Sequence, residues 1–175
     1  MAGKILVVYA TKFGSTKEVA GRIGEMVKTK GIPVDVRKVS SVKDMSKYSA
    51  VIFGTPIRMG KPISEAMNFV KKHKEELNRL PVALFSIGLY MKENTKENRE
   101  KAIQCLDPVL EIIKKPVSIG LFGGKLDYNT MPVILRWMFS KDTSGQFSEG
   151  DWRNWDSIAS WVDEIVPALE VNDVN

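Results

Sequence analysis

"VVYATKFGSTKEVA", residues 7–20, joins an apolar, β-rich run to a helix-like pattern through a cluster of hydroxyl residues. The run "KILVVYA" (4–10) stops at Thr11, and a single glycine, Gly14, lies between Phe13 and Ser15. Beyond the loop, Val19, Ala20, Ile23, Met26 and Val27 keep the spacing of one helical face. A strand, a short loop and a helix in that order bring Thr11, Ser15, Thr16 and several backbone N–H groups to the positive end of a helix. That predicts an anion site, best suited to a phosphate. The loop lacks G-x-G-x-x-G and G-x-x-x-x-G-K-[ST], which disfavours a dinucleotide pyrophosphate and a P-loop triphosphatase. Ser15 and Glu18 also have the spacing of a capping box, a purely local reason for a serine there.

Four more β-rich runs follow: "PVDVRKV" (33–39), "AVIFGT" (50–55), "PVALFSIG" (81–88) and "PVSIGLFG" (116–123). The first, third, fourth and fifth runs are nearly continuous in Val, Ile, Leu and Phe, as parallel strands buried on both faces are. The second alternates with polar residues and reads as an edge strand. Helical spacing recurs through Ile63, Ala66, Met67, Val70 and Leu77. It returns through Ala102, Ile103, Leu106, Leu110 and Ile113, with Asp107–Pro108 kinking or restarting that helix. The last and clearest helix carries Trp155, Ile158, Ala159, Val162, Ile165, Val166 and Leu169. Residues 41–49 read as a short helix or a long turn. Strands alternating with helices predict βαβ crossovers and a three-layer α/β sandwich, with five parallel strands in the order 2-1-3-4-5. Residues 1–175 are expected to form a single domain. The stretch 125–153 breaks the alternation. It reads as an inserted segment after the fifth strand, with a short helix after Thr130 and a polar loop behind it.

The apolar and charged fractions, 43% and 27%, are those of an ordinary globule, and no apolar run approaches the roughly 20 residues of a membrane span. The N-terminus is too short for a signal peptide and has no cleavage region. One cysteine, Cys105, excludes a disulfide framework or an iron–sulfur site, and one histidine, His73, excludes a His-based metal centre. A cytoplasmic protein without a metal is expected, at most peripheral at a membrane. The net charge of +5 favours anionic partners, but the lysines and arginines are spread along the chain, which argues against a nucleic-acid surface. No carboxylate pair or Ser/His arrangement marks a catalytic residue.

"YATKFGSTKEVA" resembles the phosphate-binding loop of flavodoxin-like proteins, and the resemblance covers essentially the whole chain. It implies FMN as cofactor, its phosphate held by Thr11, Lys12, Phe13, Gly14, Ser15 and Thr16. The loops "FGTPIRMGKP" (53–62) and "FSIGLYMKEN" (85–94) match those the family places against the flavin ring. They assign Thr55, Pro56, Ile57, Arg58, Met59 and Gly60, with Ser86, Ile87, Gly88, Leu89 and Tyr90, to the ring. Phe13 stands where many electron carriers have the middle Thr of T-x-T-G-x-T, and "PIRMG" lacks the tryptophan that carriers use. "FGGKLDY" (122–128) and "GDWRNWDSIASWVDEI" (150–165) resemble the branch containing menaquinone-dependent protoporphyrinogen oxidase. That branch implies an FMN-dependent oxidoreductase taking electrons from a porphyrinogen and passing them to a quinone. A soluble electron-carrier flavodoxin docking on redox proteins is the alternative; such carriers are typically acidic.

Around the expected flavin, Arg58 and Lys61 read as a charge on the reduced ring, a substrate clamp or a solvated rim. His73 and Cys105 read as packing residues, Trp152, Trp155 and Trp161 as helix–sheet packing, and "KENTKENREK" (92–101) as a solvated face. Trp137, with Leu135, Met138 and Phe139, reads either as a hydrophobic cluster under a long loop or as a substrate wall or interfacial segment. Residues 131–140 are accordingly the expected site of any peripheral membrane contact.

Overall fold

A computed structural model describes residues 3–170. Strand β1 (Lys4–Tyr9) pairs in parallel with β2 (Val34–Lys38) on one side and β3 (Tyr48–Arg58) on the other; β5 (Val82–Gly88) and β6 (Ser118–Gly123) follow in parallel. The order β2-β1-β3-β5-β6 is the expected arrangement. The numbering shifts because a two-residue strand, β4 (Lys61–Pro62), turns back antiparallel on the end of β3.

Alternate residues of β1 feed opposite cores, as strand geometry requires. Ile5 and Val7 join Ile23 and Val27 of helix α1 (Ser15–Thr29) and Trp161, Val162 and Ile165 of helix α7 (Trp155–Glu170). Leu6 and Val8 join Phe69 and Val70 of helix α2 (Ser64–Lys72), Leu77 of helix α3 (Lys74–Arg79) and Val109 of helix α5 (Asp107–Leu110). A smaller cluster packs Leu121 under Ala102 of helix α4 (Lys96–Gln104).

The helix expected through Ile63–Leu77 is two helices that meet at His73. His73 is buried against Phe69, ring centroids 4.8 Å apart, and serves packing as expected. The restart at Asp107–Pro108 is also seen, with the proline in the first turn of α5. Ile103, expected on the inner stripe of α4, is instead exposed. Residues 41–49 form no helix beyond a short 3-10 turn at Val39–Ser41. Cys105 is free and buried, and burial pushes its thiol pKa up, so it behaves as a small apolar residue.

The insertion is an antiparallel pair, β7 (Lys125–Leu126) with β8 (Gly150–Asp151), carrying a helix, α6 (Val133–Ser140), and a turn between them. Among the described residues no helix is long and apolar enough to cross a membrane, and no group of acidic, Cys or His side chains could hold a metal.

Candidate functional site

In the order 2-1-3 the chain leaves β1 toward one edge and returns at β3 on the other side. The space beyond the carboxyl ends of β1 and β3 is therefore the switch point, where open α/β sheets bind ligands. A cleft of about 710 Å³ opens there, within the range of small-molecule sites.

Its floor is the loop that opens α1. Gly14 caps the helix at φ 95°, a left-handed conformation that favours glycine, and its N–H donates to Thr11 Oγ1 at 3.0 Å. The expected capping box does not form. Ser15 is already the first helical residue, one place too late to cap, and its Oγ accepts the backbone N–H of Lys125 at 3.2 Å. Glu18 turns away to Arg153. Each of these two hydroxyls accepts from a backbone amide, which leaves its own O–H free to donate into the cleft. Thr16 is 1% exposed, yet among the described residues nothing bonds its hydroxyl. The free hydroxyl of Thr16 on the cleft lining, two hydroxyls set as donors and the first-turn amides of α1 fit a phosphate.

The walls come from two loops and the insertion. Pro56, Ile57, Arg58, Met59 and Gly60 line one side and Ile87, Gly88, Leu89 and Tyr90 another, with Thr11, Lys12, Phe13, Ser15 and Thr16 below. Of the remaining assigned residues, Gly14 shapes the loop without lining the cleft. Thr55 and Ser86 are strand partners buried beneath it. Met59 and Gly60, at φ 50° and 77°, make the two-residue turn between β3 and β4. Both conformations are left-handed, and the methionine bears a strain of about 1–2 kcal/mol. The Arg58 guanidinium lies 4.6 Å from the centroid of the Phe13 ring, so the residue in place of the usual threonine steadies a cation at the cleft.

Leu126, Met131, Leu135, Met138 and Phe139 supply an apolar wall from the insertion, and Phe147 stacks on Phe139 with centroids 4.7 Å apart. Tyr128 does not join the wall. Its hydroxyl donates to Phe147 O at 2.6 Å and holds the loop closed. Trp137 faces outward, with Lys141 Nζ 3.8 Å from its ring centroid.

Lys92 opens a run that reads as a solvated charge face and is also a candidate for positive charge near the ring; it lines the cleft with Nζ 4.1 Å from the centroid of the Trp152 ring and donating to Gln146 O at 2.6 Å. Burial lowers its pKa. Trp152 and Trp155 are half-buried cation platforms; Trp155 also packs against the core, and Trp161 is buried in it, as expected. Arg153 fastens the insertion to α1 by a bidentate pair with Asp151 (2.8 and 2.6 Å) and a bond to Glu18. Asp151 is held below the usual carboxylate range by that guanidinium.

A doubly wound sheet with an anion loop at its switch point and apolar ring walls beside it defines a phosphate-bearing cofactor protein of the α/β class. The chain belongs to the flavodoxin family: the Flavodoxin domain family matches residues 6–147. It is 26% identical over 170 residues to protoporphyrinogen IX dehydrogenase [quinone] of Escherichia coli (strain K12), covering 93% of this chain and 94% of that one. It is 27% identical over 150 residues to the protein of the same name from Leishmania major, covering 82% of this chain and 64% of that one. A Fusobacterium nucleatum flavodoxin bound to flavin mononucleotide superposes with a TM-score of 0.58 at 18% identity, over 97% of this chain and 99% of that one. The last likeness speaks to the fold.

Proposed function

We propose that the chain is an FMN-dependent oxidoreductase that takes electrons from a porphyrinogen and delivers them to a quinone. Family membership supports the cofactor, and the names of the E. coli and Leishmania relatives support donor and acceptor. The observation that carries an enzyme over a carrier is the apolar wall of Leu135, Met138 and Phe139, which faces the same cleft as the anion loop. A carrier needs only an exposed flavin edge and a docking surface, whereas a bulky apolar reactant needs a wall that excludes water and fixes its position.

In this reading Thr11, Ser15, Thr16 and the amides of residues 12–16 hold the phosphate. Pro56–Gly60 and Ile87–Tyr90 flank the ring, with Thr55 and Ser86 supporting those loops from the strands below. Bound FMN supplies the two-electron chemistry. Arg58 places positive charge beside the ring, and Lys92 holds residues 145–146 over the cleft. Residues 1–175 act as one FMN-binding domain, working in the cytoplasm with peripheral membrane contact through 131–140.

Reconstitution and a reoxidation screen test the reading. The purified chain is expected to bind one flavin and to prefer FMN over FAD and riboflavin. Once photoreduced, it is expected to be reoxidised by quinones faster than by acidic redox proteins. A chain that binds no flavin defeats the proposal, and one that reduces only redox proteins is a carrier.

A further inference from the structure

Helix α6, VILRWMFS, buries none of its residues. Val133, Ile134 and Trp137, at i, i+1 and i+4, form an outward stripe exposed by 76%, 68% and 57%. On the rim of the same cleft Met59 is 97% exposed, at the tip of the β3–β4 turn and in a backbone conformation that favours Asn or Gly. Single exposed apolar side chains are ordinary, but a contiguous stripe is not. Met59 is both strained and uncovered, and it gains no packing in return.

Charge selects the partner. The cleft is lined by Lys12, Arg58, Lys92 and Lys125 against one acid, Glu93, and Lys141 lies over Trp137. A tryptophan beside a lysine on an apolar helix suits the headgroup level of a bilayer, and cations at that level suit acidic lipids. We propose that α6 and Met59 seat the protein on an anionic lipid bilayer with the mouth of the cleft toward the lipid. A membrane-dissolved quinone then enters without crossing water, a purpose that rests on the redox reading above.

Flotation of the FMN-reconstituted full chain with vesicles tests the docking. The protein is expected to float with phosphatidylcholine vesicles containing phosphatidylglycerol, poorly with phosphatidylcholine alone, and less as salt rises. The triple substitution Val133→Ser, Ile134→Ser, Trp137→Ser lies outside the cleft. It is expected to lower partitioning roughly tenfold or more, leaving flavin binding and ferricyanide reduction unchanged. Met59→Asn is expected to lower partitioning roughly threefold while raising Tm, because asparagine suits the turn. A structural methionine would not move those two readouts in opposite directions.

Wild-type protein that ignores anionic vesicles, or a triple variant that floats like wild type, overturns the docking. So does a dimer in sedimentation velocity that the triple substitution dissociates, since the face then serves a second copy of the chain. Met59→Asn protein that floats like wild type removes the turn from the surface. Intact flavin binding and quinone reduction in solution with no flotation sink the docking alone. Loss of both in wild type sinks the redox reading instead.

Discussion

Ser15 Oγ accepts the backbone N–H of Lys125, so the anion loop and the base of the insertion share one hydrogen bond. Filling the proposed phosphate position is therefore expected to order the insertion. Ser15→Ala is expected to weaken FMN binding and to speed amide exchange at residues 125–128. Thr16→Ala, whose hydroxyl has no protein partner, is expected to weaken FMN by about 1–3 kcal/mol without changing exchange in the insertion. Titration calorimetry with exchange mass spectrometry on both variants checks this. Equal exchange in the two would break the coupling.

Lys92 is expected to act as a latch. Its ammonium joins the turn after β5 to Gln146 and Trp152, so Lys92→Met removes a charged hydrogen bond and a cation–π contact worth on the order of 1 kcal/mol of local closure. Exchange at residues 144–147 is expected to rise, even without flavin, and Lys92→Arg to restore protection. Protection that survives Lys92→Met would show that the bonds of Tyr128 and Asp142 to the loop hold it without the ammonium.

Arg58 concerns the redox potential. A cation beside the ring stabilises a reduced flavin that bears negative charge. Arg58→Gln is expected to make the potential of bound FMN more negative, measured by equilibration with a reference dye. An unmoved potential would place the guanidinium too far from the ring to matter.

The strand order, the loop that opens α1 and the insertion were legible in the chain because each rests on a local pattern. Continuous Val/Ile runs mark buried strands, and Thr11–Thr16 is a compact motif. The latch role of Lys92 was not legible, because it depends on Trp152 and Gln146, sixty and fifty-four positions along the chain by residue number. Ser15 misled for the same reason: its spacing to Glu18 is local, but its partner is Lys125. Trp137 sits in an apolar run that sequence could not divide, and only the helix places Leu135 and Phe139 inward and Trp137 outward.

Acid sensitivity is expected at the sheet edge rather than at the site. Lys4, 2.7 Å from Asp35, is the main cause holding that carboxyl at about 2; the Tyr48 hydroxyl and Lys47 assist, and burial opposes them. A carboxyl whose folded pKa lies below its unfolded value of about 3.9 stabilises fully above roughly pH 5 and loses that contribution as the pH falls through about 2. Asp35→Asn is expected to lower stability at neutral pH by on the order of 1 kcal/mol, because both lysines are partly solvated. Denaturation of both proteins across the acid range should show the difference closing below about pH 3.

The apolar wall is tested most directly by removing it. Leu126 pairs with Gly150, so a Gly/Ser turn replacing residues 129–147 can close the β7–β8 hairpin without touching the anion loop. The shortened protein is expected to keep FMN and to reduce ferricyanide when pre-reduced, but to lose quinone turnover. Quinone turnover at the wild-type rate in that protein would contradict the enzyme reading and leave a carrier with a surface excursion.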